Sequence, residues 1–268
     1  MLITSWRTTR IKATIRGLFL AKTSSSNEWK AVAAAVKTLV EEATFEATGE
    51  ALTFRAMDPS HVALVDLHWP NSAFEKYECD KPFKFSMRVE DLVKLIGRSE
   101  TKDSVEIAST EEDSIMMRFM NGYKREFTIH LIESTTGAAP LPKLEFDTKV
   151  ILTKSMFERV LSDINVVSDQ ATIQASKEKL SFSGKSDVGQ ASIALEKNDA
   201  DVLDLQANAE SKATYSIDYL IGISKALGGA IDTVQLEFST KKPIRLEAKL
   251  NDLGCKLTYF LAPRVSSD

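Results

Sequence analysis

Apolar residues in this chain keep two periods, one of a helix and one of a strand, and the two follow each other in the same order twice. Trp29, Val32, Val36 and Leu39 recur at i, i+3, i+7 and i+10, one face of a helix. Ser24, Ser25 and Ser26 precede that helix and can supply an N-cap. Alternation then takes over: Leu52, Phe54 and Ala56 point one way, Thr53 and Arg55 the other, as in a half-buried strand. A short helix over Glu90–Gly97 follows, then strands over Val105–Ser109, Ser114–Phe119 and Arg125–Leu131. Further on, Phe157, Val160, Leu161, Ile164 and Val167 share a helical face. Leu180 and Phe182 alternate with Ser181 and Ser183, and Ala191, Ile193 and Leu195 alternate likewise. A helix over Asp218–Leu227 and strands over Val234–Ser239, Ile244–Leu250 and Lys256–Phe260 complete the series.

Shifted by 128 positions, the two stretches superpose. Trp29, Val32 and Val36 land on Phe157, Val160 and Ile164; Ala63, Val65 and Leu67 land on Ala191, Ile193 and Leu195. Few identities survive, but the order of periods does, the mark of a duplicated unit. The reading is two α+β copies, each with two helices on one face of antiparallel sheet. They occupy residues 18–132 and 145–268, joined by residues 133–144. That linker holds Gly137, Pro140 and Pro142, the residues of a loop. Leu141 and Leu144 are apolar within it, and either tack it onto the sheet behind or line a binding site.

Charge and composition narrow the class. Lys plus Arg is 34 and Asp plus Glu 38, so the net charge is −4, which argues against a surface that grips nucleic acid all over. Two cysteines cannot form a disulfide framework and suit a reducing compartment. The longest apolar stretch, Ala31–Val40, is interrupted by Lys37, so no transmembrane helix is expected. Residues 1–17 differ from the rest, with Arg7, Arg10, Lys12 and Arg16 and no acid. An upstream translation start, a cloning-derived extension, a transit peptide and a basic arm on DNA are the readings open for them. Without them the balance is 30 − 38 = −8.

Motifs of catalysis are not found. His61, His68 and His130 lack metal-ligand spacing with each other or with either cysteine. Gly184-Lys-Ser186-Asp-Val-Gly189 resembles a nucleophile elbow, but its second glycine is one residue too far, and a hairpin turn is expected there. No catalytic residue, metal or cofactor is expected. The polar faces of the helices do share a property. Lys30 and Lys37 lie on the first, Lys94 and Arg98 on the second, Lys154 and Arg159 on the third, Lys225 on the fourth. For each alone, a solvated helix surface explains the charge. Cations on all four helices favour a shared basic face that contacts phosphates without reading bases.

At this point the residues resemble a known family. Arg55-Ala-Met-Asp-Pro-Ser-His-Val-Ala-Leu-Val-Asp66 and Tyr259-Phe-Leu-Ala-Pro-Arg264 are similar to signatures of the proliferating cell nuclear antigen sliding clamps. Cys79-Asp80 and Asp252-Leu-Gly-Cys255 fit as well, and the Asp-Pro-Ser form looks archaeal. The resemblance covers residues 18–265 and leaves residues 1–17 as an extension outside the family pattern. It implies a DNA-clamp fold and a homotrimeric ring around duplex DNA that acts as a processivity factor, not an enzyme. The strand at Ser114–Asn121 would pair with Gly189–Lys197 of the next subunit. Lys30, Lys37, Lys94, Arg159 and Lys225 match basic positions facing DNA, while Ser162 stands where the family has another cation. Clients with a short paired-aromatic motif would dock against Met57, His61, Leu64, Leu141, Pro142, Pro243, Phe260, Leu261, Ala262 and Pro263. Phe260 replaces a tyrosine common in the family. The implied partners are DNA polymerase, the clamp loader (replication factor C), flap endonuclease and DNA ligase. An archaeal source places the protein in the cytoplasm on the nucleoid, a eukaryotic one in the nucleus. The alternative is a subunit of a heterotrimeric clamp, or a repair or checkpoint adaptor of the same fold.

Overall fold

The computed structural model describes residues 19–111, 113–133, 139–228 and 231–264, so the 1–17 extension lies outside the described residues. The first copy runs β1 (Phe19–Thr23), α1 (Asn27–Lys37), β2 (Glu42–Ala47), β3 (Ala51–Met57), β4 (Ala63–Pro70), β5 (Lys76–Cys79), β6 (Phe83–Arg88), α2 (Val89–Ile96), β7 (Ser104–Glu111), β8 (Ser114–Asn121) and β9 (Tyr123–His130). The second repeats that order: β10 (Thr148–Thr153), α3 (Lys154–Asn165), β11 (Gln170–Ala175), β12 (Lys179–Lys185), β13 (Gln190–Glu196), β14 (Val202–Ala207), β15 (Ser211–Ser216), α4 (Ile217–Ala226), β16 (Thr233–Phe238), β17 (Ile244–Lys249) and β18 (Lys256–Leu261).

All strand pairs are antiparallel, and they form three sheets with the orders β5-β1-β7-β8-β9, β14-β10-β16-β17-β18-β4-β3-β2-β6 and β13-β12-β11-β15. The central sheet of nine crosses from one copy to the other where β18 pairs with β4. α1 packs against α2 and α4, and α4 against α3, so the helices form a row α2-α1-α4-α3. Their buried faces are those that periodicity predicts: Trp29, Val32 and Val36 on α1, Phe157, Val160, Leu161 and Ile164 on α3. Trp29 meets Trp69 at 4.8 Å between ring centroids, and Phe45 stacks on Phe85 at 5.3 Å.

Three expectations change. Ser26 is the N-cap residue of α1 but does not cap it with its side chain; its hydroxyl donates to the Glu100 carbonyl at 2.7 Å. Ser25 does the local work, accepting from Asn27 N–H and donating to Glu28 Oε2. The 128-residue shift also slips by two at β4 and β13. Met57 pairs with Leu64 but Lys185 with Gln190, so the second hairpin is two residues shorter and Ile193 corresponds to Leu67. A slip of two leaves every side chain on its face, so the apolar pattern does not betray it. Finally, the strand at Ser114–Asn121 is β8, hydrogen-bonded to β7 and β9 on its two sides, and is not the edge. Its run Ile115-Met-Met-Arg-Phe-Met is apolar on both faces, as befits an interior strand, whereas β9 alternates with charges.

Gly184 is on β12, and Ser186 N–H donates to the Gly189 carbonyl at 2.9 Å, so the elbow-like run is a hairpin. A Cβ at Gly184 would lie 2.6 Å from Ile164 Cγ2 and 2.8 Å from Ser168 Cβ. Gly184→Ala is therefore expected to force α3 off the sheet and cost about 1–3 kcal/mol. Thermal unfolding checks it: an unchanged midpoint would show that α3 yields without cost.

Candidate functional site

The outer face of the central sheet carries one row of side chains set by strand register. Met57 on β3, Leu64 on β4, Phe260 on β18 and Arg245 on β17 are successive partners, with Glu237 of β16 beyond them. The linker crosses this face. Ile132 N–H donates to the Ser86 carbonyl on β6, and Arg55 reaches the Ala139 carbonyl while it ion-pairs with Asp66 at 2.6 Å. At the far side Phe146 lies under the Arg245 guanidinium, 5.5 Å from ring centroid to charge, and Arg245 ion-pairs with Glu237. Leu141 and Pro142 fall between those two anchors. β4 and β18 lie between Arg55 and Arg245, so this stretch of linker passes the Leu64–Phe260 pair.

Most of the predicted docking residues are thus brought together. Ala262 N–H donates to the Val62 carbonyl, which ties the C-terminal segment to the loop holding His61. Pro243 precedes Ile244, the partner of Leu261. Leu141 is 43 % exposed, while Leu64 and Phe260 are almost covered. Leu261 is the exception. Neighbours on a strand face opposite ways, and its side chain is fully buried in the core, so only its backbone is available at the outer face.

The loop between β3 and β4 is built on Asp58. Its Oδ1 accepts from Val62 N–H at 2.7 Å and Ala63 N–H at 2.6 Å. Its Oδ2 accepts from Ser60 N–H at 3.2 Å and from the Tyr219 hydroxyl of α4 at 2.7 Å. Burial raises the pKa of this carboxyl, but the four donors outweigh it and hold the group below its ordinary value. The hydrogen bond to Asp58 in turn raises that of Tyr219. No signal in a single sequence links two residues this far apart. The Arg55–Asp66 pair was closer to legible, since both belong to one motif.

The helix row presents the predicted cations. Lys37, Lys94, Arg159 and Lys225 are exposed and Lys30 is partly so. Lys94 is held by Glu90 at 2.6 Å, and among the described residues Lys30, Lys37, Arg159 and Lys225 have no ion pair. Lys154 is nearly buried against Glu158 at 2.8 Å and is removed from the face. Glu28, Asp91, Asp163 and Asp218 lie on the same helices, so the face is mixed and not densely basic.

The two copies differ in what their edges meet. Within the chain β18 pairs with β4, but the equivalent strands, β9 and β13, are the outermost of their sheets. Partly buried apolar side chains line both: Phe127 and Ile129 on β9, Ala191 and Ile193 on β13. Nearby, Val166 and Val188 are 76 % and 83 % exposed. The equivalent of Val166 is Thr38, which meets Gly222 where α1 touches α4. The helix row ends at these same edges, with α2 beside β9 and α3 beside β13. Sequence reading found the strand at Arg125–Leu131 but missed that it is the open edge; its alternation with Lys124, Glu126 and Thr128 was the available clue.

Comparison with known proteins bears on this arrangement. Residues 18–134 match the model of the proliferating cell nuclear antigen N-terminal domain, and residues 140–264 that of the C-terminal domain. A DNA polymerase sliding clamp of Cenarchaeum symbiosum is 47 % identical over 249 residues, 93 % of this chain and 99 % of that one. The crystal structure of the Thermococcus kodakaraensis antigen aligns with a TM-score of 0.87 at 24 % identity, over 92 % of this chain and all of that one. The A. fulgidus antigen, solved with the C-terminal region of FEN-1 bound, aligns with a TM-score of 0.85 at 25 % identity, over 93 % and 100 %.

Proposed function

We propose, because this chain belongs to the proliferating cell nuclear antigen family of DNA sliding clamps, that three copies close into a ring around duplex DNA and tether replication and repair proteins there. The protein is a processivity factor and not an enzyme. The observation that carries the ring is the pair of open edges β9 and β13, whose counterparts β18 and β4 are joined in the chain. Joining β9 of one copy to β13 of the next repeats that junction head to tail, and a threefold rotation closes it. Transferring the β18–β4 register sets Phe127 opposite Ala191 and Arg125 opposite Ile193 of the neighbour. Val166 then faces Lys94 of the next α2, which covers an otherwise bare valine. The rows α2-α1-α4-α3 continue from copy to copy and line the hole.

The domain division follows the repeat: 18–132, the connecting loop 133–144, and 145–268. Lys30, Lys37, Lys94, Arg159 and Lys225 contact phosphates from the helix row. Acids on the same helices keep the attraction weak, which suits a ring that slides and is retained by topology. Met57, His61, Leu64, Leu141, Pro142, Pro243, Phe260, Ala262 and Pro263 receive clients, with Leu261 contributing backbone only. DNA polymerase, replication factor C, flap endonuclease and ligase are the clients proposed; the A. fulgidus relative with FEN-1 bound supports the third. No helix among the described residues is long and apolar enough to cross a membrane, and association with the nucleoid follows from the function.

Native mass tests the assembly. Three chains of 29.7 kDa give about 89 kDa for a homotrimer. The trimer loaded on circular DNA is released when the DNA is linearised. A stable monomer at micromolar concentration, or rings retained on open ends, would overturn the proposal in favour of an adaptor or a heteromeric subunit.

A further inference from the structure

We infer that the Tyr219 hydroxyl is a positioning group for client docking: through Asp58 it fixes the β3–β4 loop that forms one wall of the docking surface. The inference rests on the docking surface proposed above. Asp58 is almost fully buried and accepts four hydrogen bonds, three from its own loop and one from α4 of the other copy. Asp58 N–H also donates to the Ala63 carbonyl, and His61 N–H to the Asp58 carbonyl. Between these bonds His61 takes φ +57°, a left-handed conformation that a non-glycine residue adopts at a cost. Such a conformation persists only where its surroundings over-determine it. The Tyr219 bond is the only one of the four that comes from outside the loop.

The internal repeat shows that the fold does not need this tether. The equivalent hairpin between β12 and β13 is two residues shorter and closes on its own backbone, Ser186 N–H to Gly189 carbonyl at 2.9 Å and Gly189 N–H to Ser186 carbonyl at 3.3 Å. There Ser186 stands at the position of Asp58 and Asp91 at that of Tyr219. Neither residue reproduces a phenol facing a carboxylate, so the bond has no counterpart at the open edge. The longer loop and its tether occur at the hairpin of the sheet that the linker crosses, and not at the hairpin of the separate four-stranded sheet. Met57 begins that loop and His61 stands in it, so holding Asp58 holds both before a client arrives. Preorganisation of this kind raises affinity by reducing the ordering that binding requires.

Tyr219→Phe removes one hydroxyl and keeps the ring. In the trimer, exchange of the Val62 and Ala63 amides is expected to speed up about tenfold, the scale of one hydrogen bond to a charged group. Val65 and Leu67 amides, in the ladder beyond, keep their rates, which a general loosening of the fold would not allow. A labelled peptide carrying the paired-aromatic motif is expected to bind about three- to tenfold more weakly, with native mass unchanged. Unchanged exchange at Val62 and Ala63 would overturn the tether. Faster exchange with unchanged peptide affinity, while Leu141→Ala weakens the peptide, would overturn its role in docking and leave the docking surface intact. If neither Leu141→Ala nor Tyr219→Phe alters affinity, the docking surface itself is misplaced and the inference falls with it.

Discussion

Phe127→Arg is expected to leave the protein a folded monomer. Phe127 is on the outermost strand of its sheet and half-covered by its own chain. Across the proposed junction it meets Ala191, as Tyr259 meets Val65 inside the chain. A guanidinium there would be buried between strands with no acceptor, at about 3–5 kcal/mol per junction. That is about two to three and a half orders of magnitude per junction, and a closed ring of three has three junctions. The fold should survive, because an edge position tolerates charge; natural edges carry it for protection. Ala191→Arg damages the opposite edge and is expected to give the same monomer. Each variant keeps one good edge, so a mixture of the two should form a dimer of about 59 kDa, twice the chain mass, and stop there. Both variants should lose retention on circular DNA. A trimer that persists in Phe127→Arg would show that the junction uses other strands.

Leu141→Ala is expected to weaken a paired-aromatic client peptide by about 2 kcal/mol, roughly thirtyfold, the loss typical of a central anchor. Leu141 is exposed in the unbound chain, so its truncation should not move the melting temperature. Phe260→Ala should weaken the peptide too, but it also opens a cavity under the linker, because this ring is only 6 % exposed. A cavity of that kind costs about 3–5 kcal/mol, so affinity must be read well below the unfolding midpoint. Phe260→Leu refills part of the volume and should recover stability more than affinity. Leu261→Ala is the informative contrast. Its side chain lies in the core on the other face, so stability should fall while the peptide affinity of the remaining folded trimer holds. Equal affinity losses at Leu261 and Leu141 would refute the assignment of faces.

Much of this was open to reading in the sequence. The two short helices fall within one residue of their expected bounds, and the buried faces of α1 and α3 are those that periodicity marks, because the period is set by which side of a helix is buried. The opposite facing of Phe260 and Leu261 was equally legible, since alternation alone forbids both side chains on one surface. What misled was the edge. β8 and β9 follow each other and both read as strands, yet only β9 has a free side. Assigning the junction to Ser114–Asn121 treated the more apolar strand as the one awaiting a partner, when its two apolar faces marked it as interior. The two-residue slip at β13 escaped for a related reason: the face pattern returns after any even shift.

The sequence by itself determined the four helices, the strands with clean alternation, their buried faces, the duplication and the family. These depend on local periodicity, and each residue reports its own surroundings through its polarity. Tertiary structure alone decided that β18 closes on β4 while β9 and β13 stay open. It alone decided that Tyr219 reaches Asp58, and that the linker passes over Leu64 and Phe260 between Arg55 and Arg245. Each of these joins residues far apart in the chain. A strand's own pattern states which face is covered but not which strand supplies the neighbouring hydrogen bonds, because backbone donors and acceptors are the same at every residue but proline.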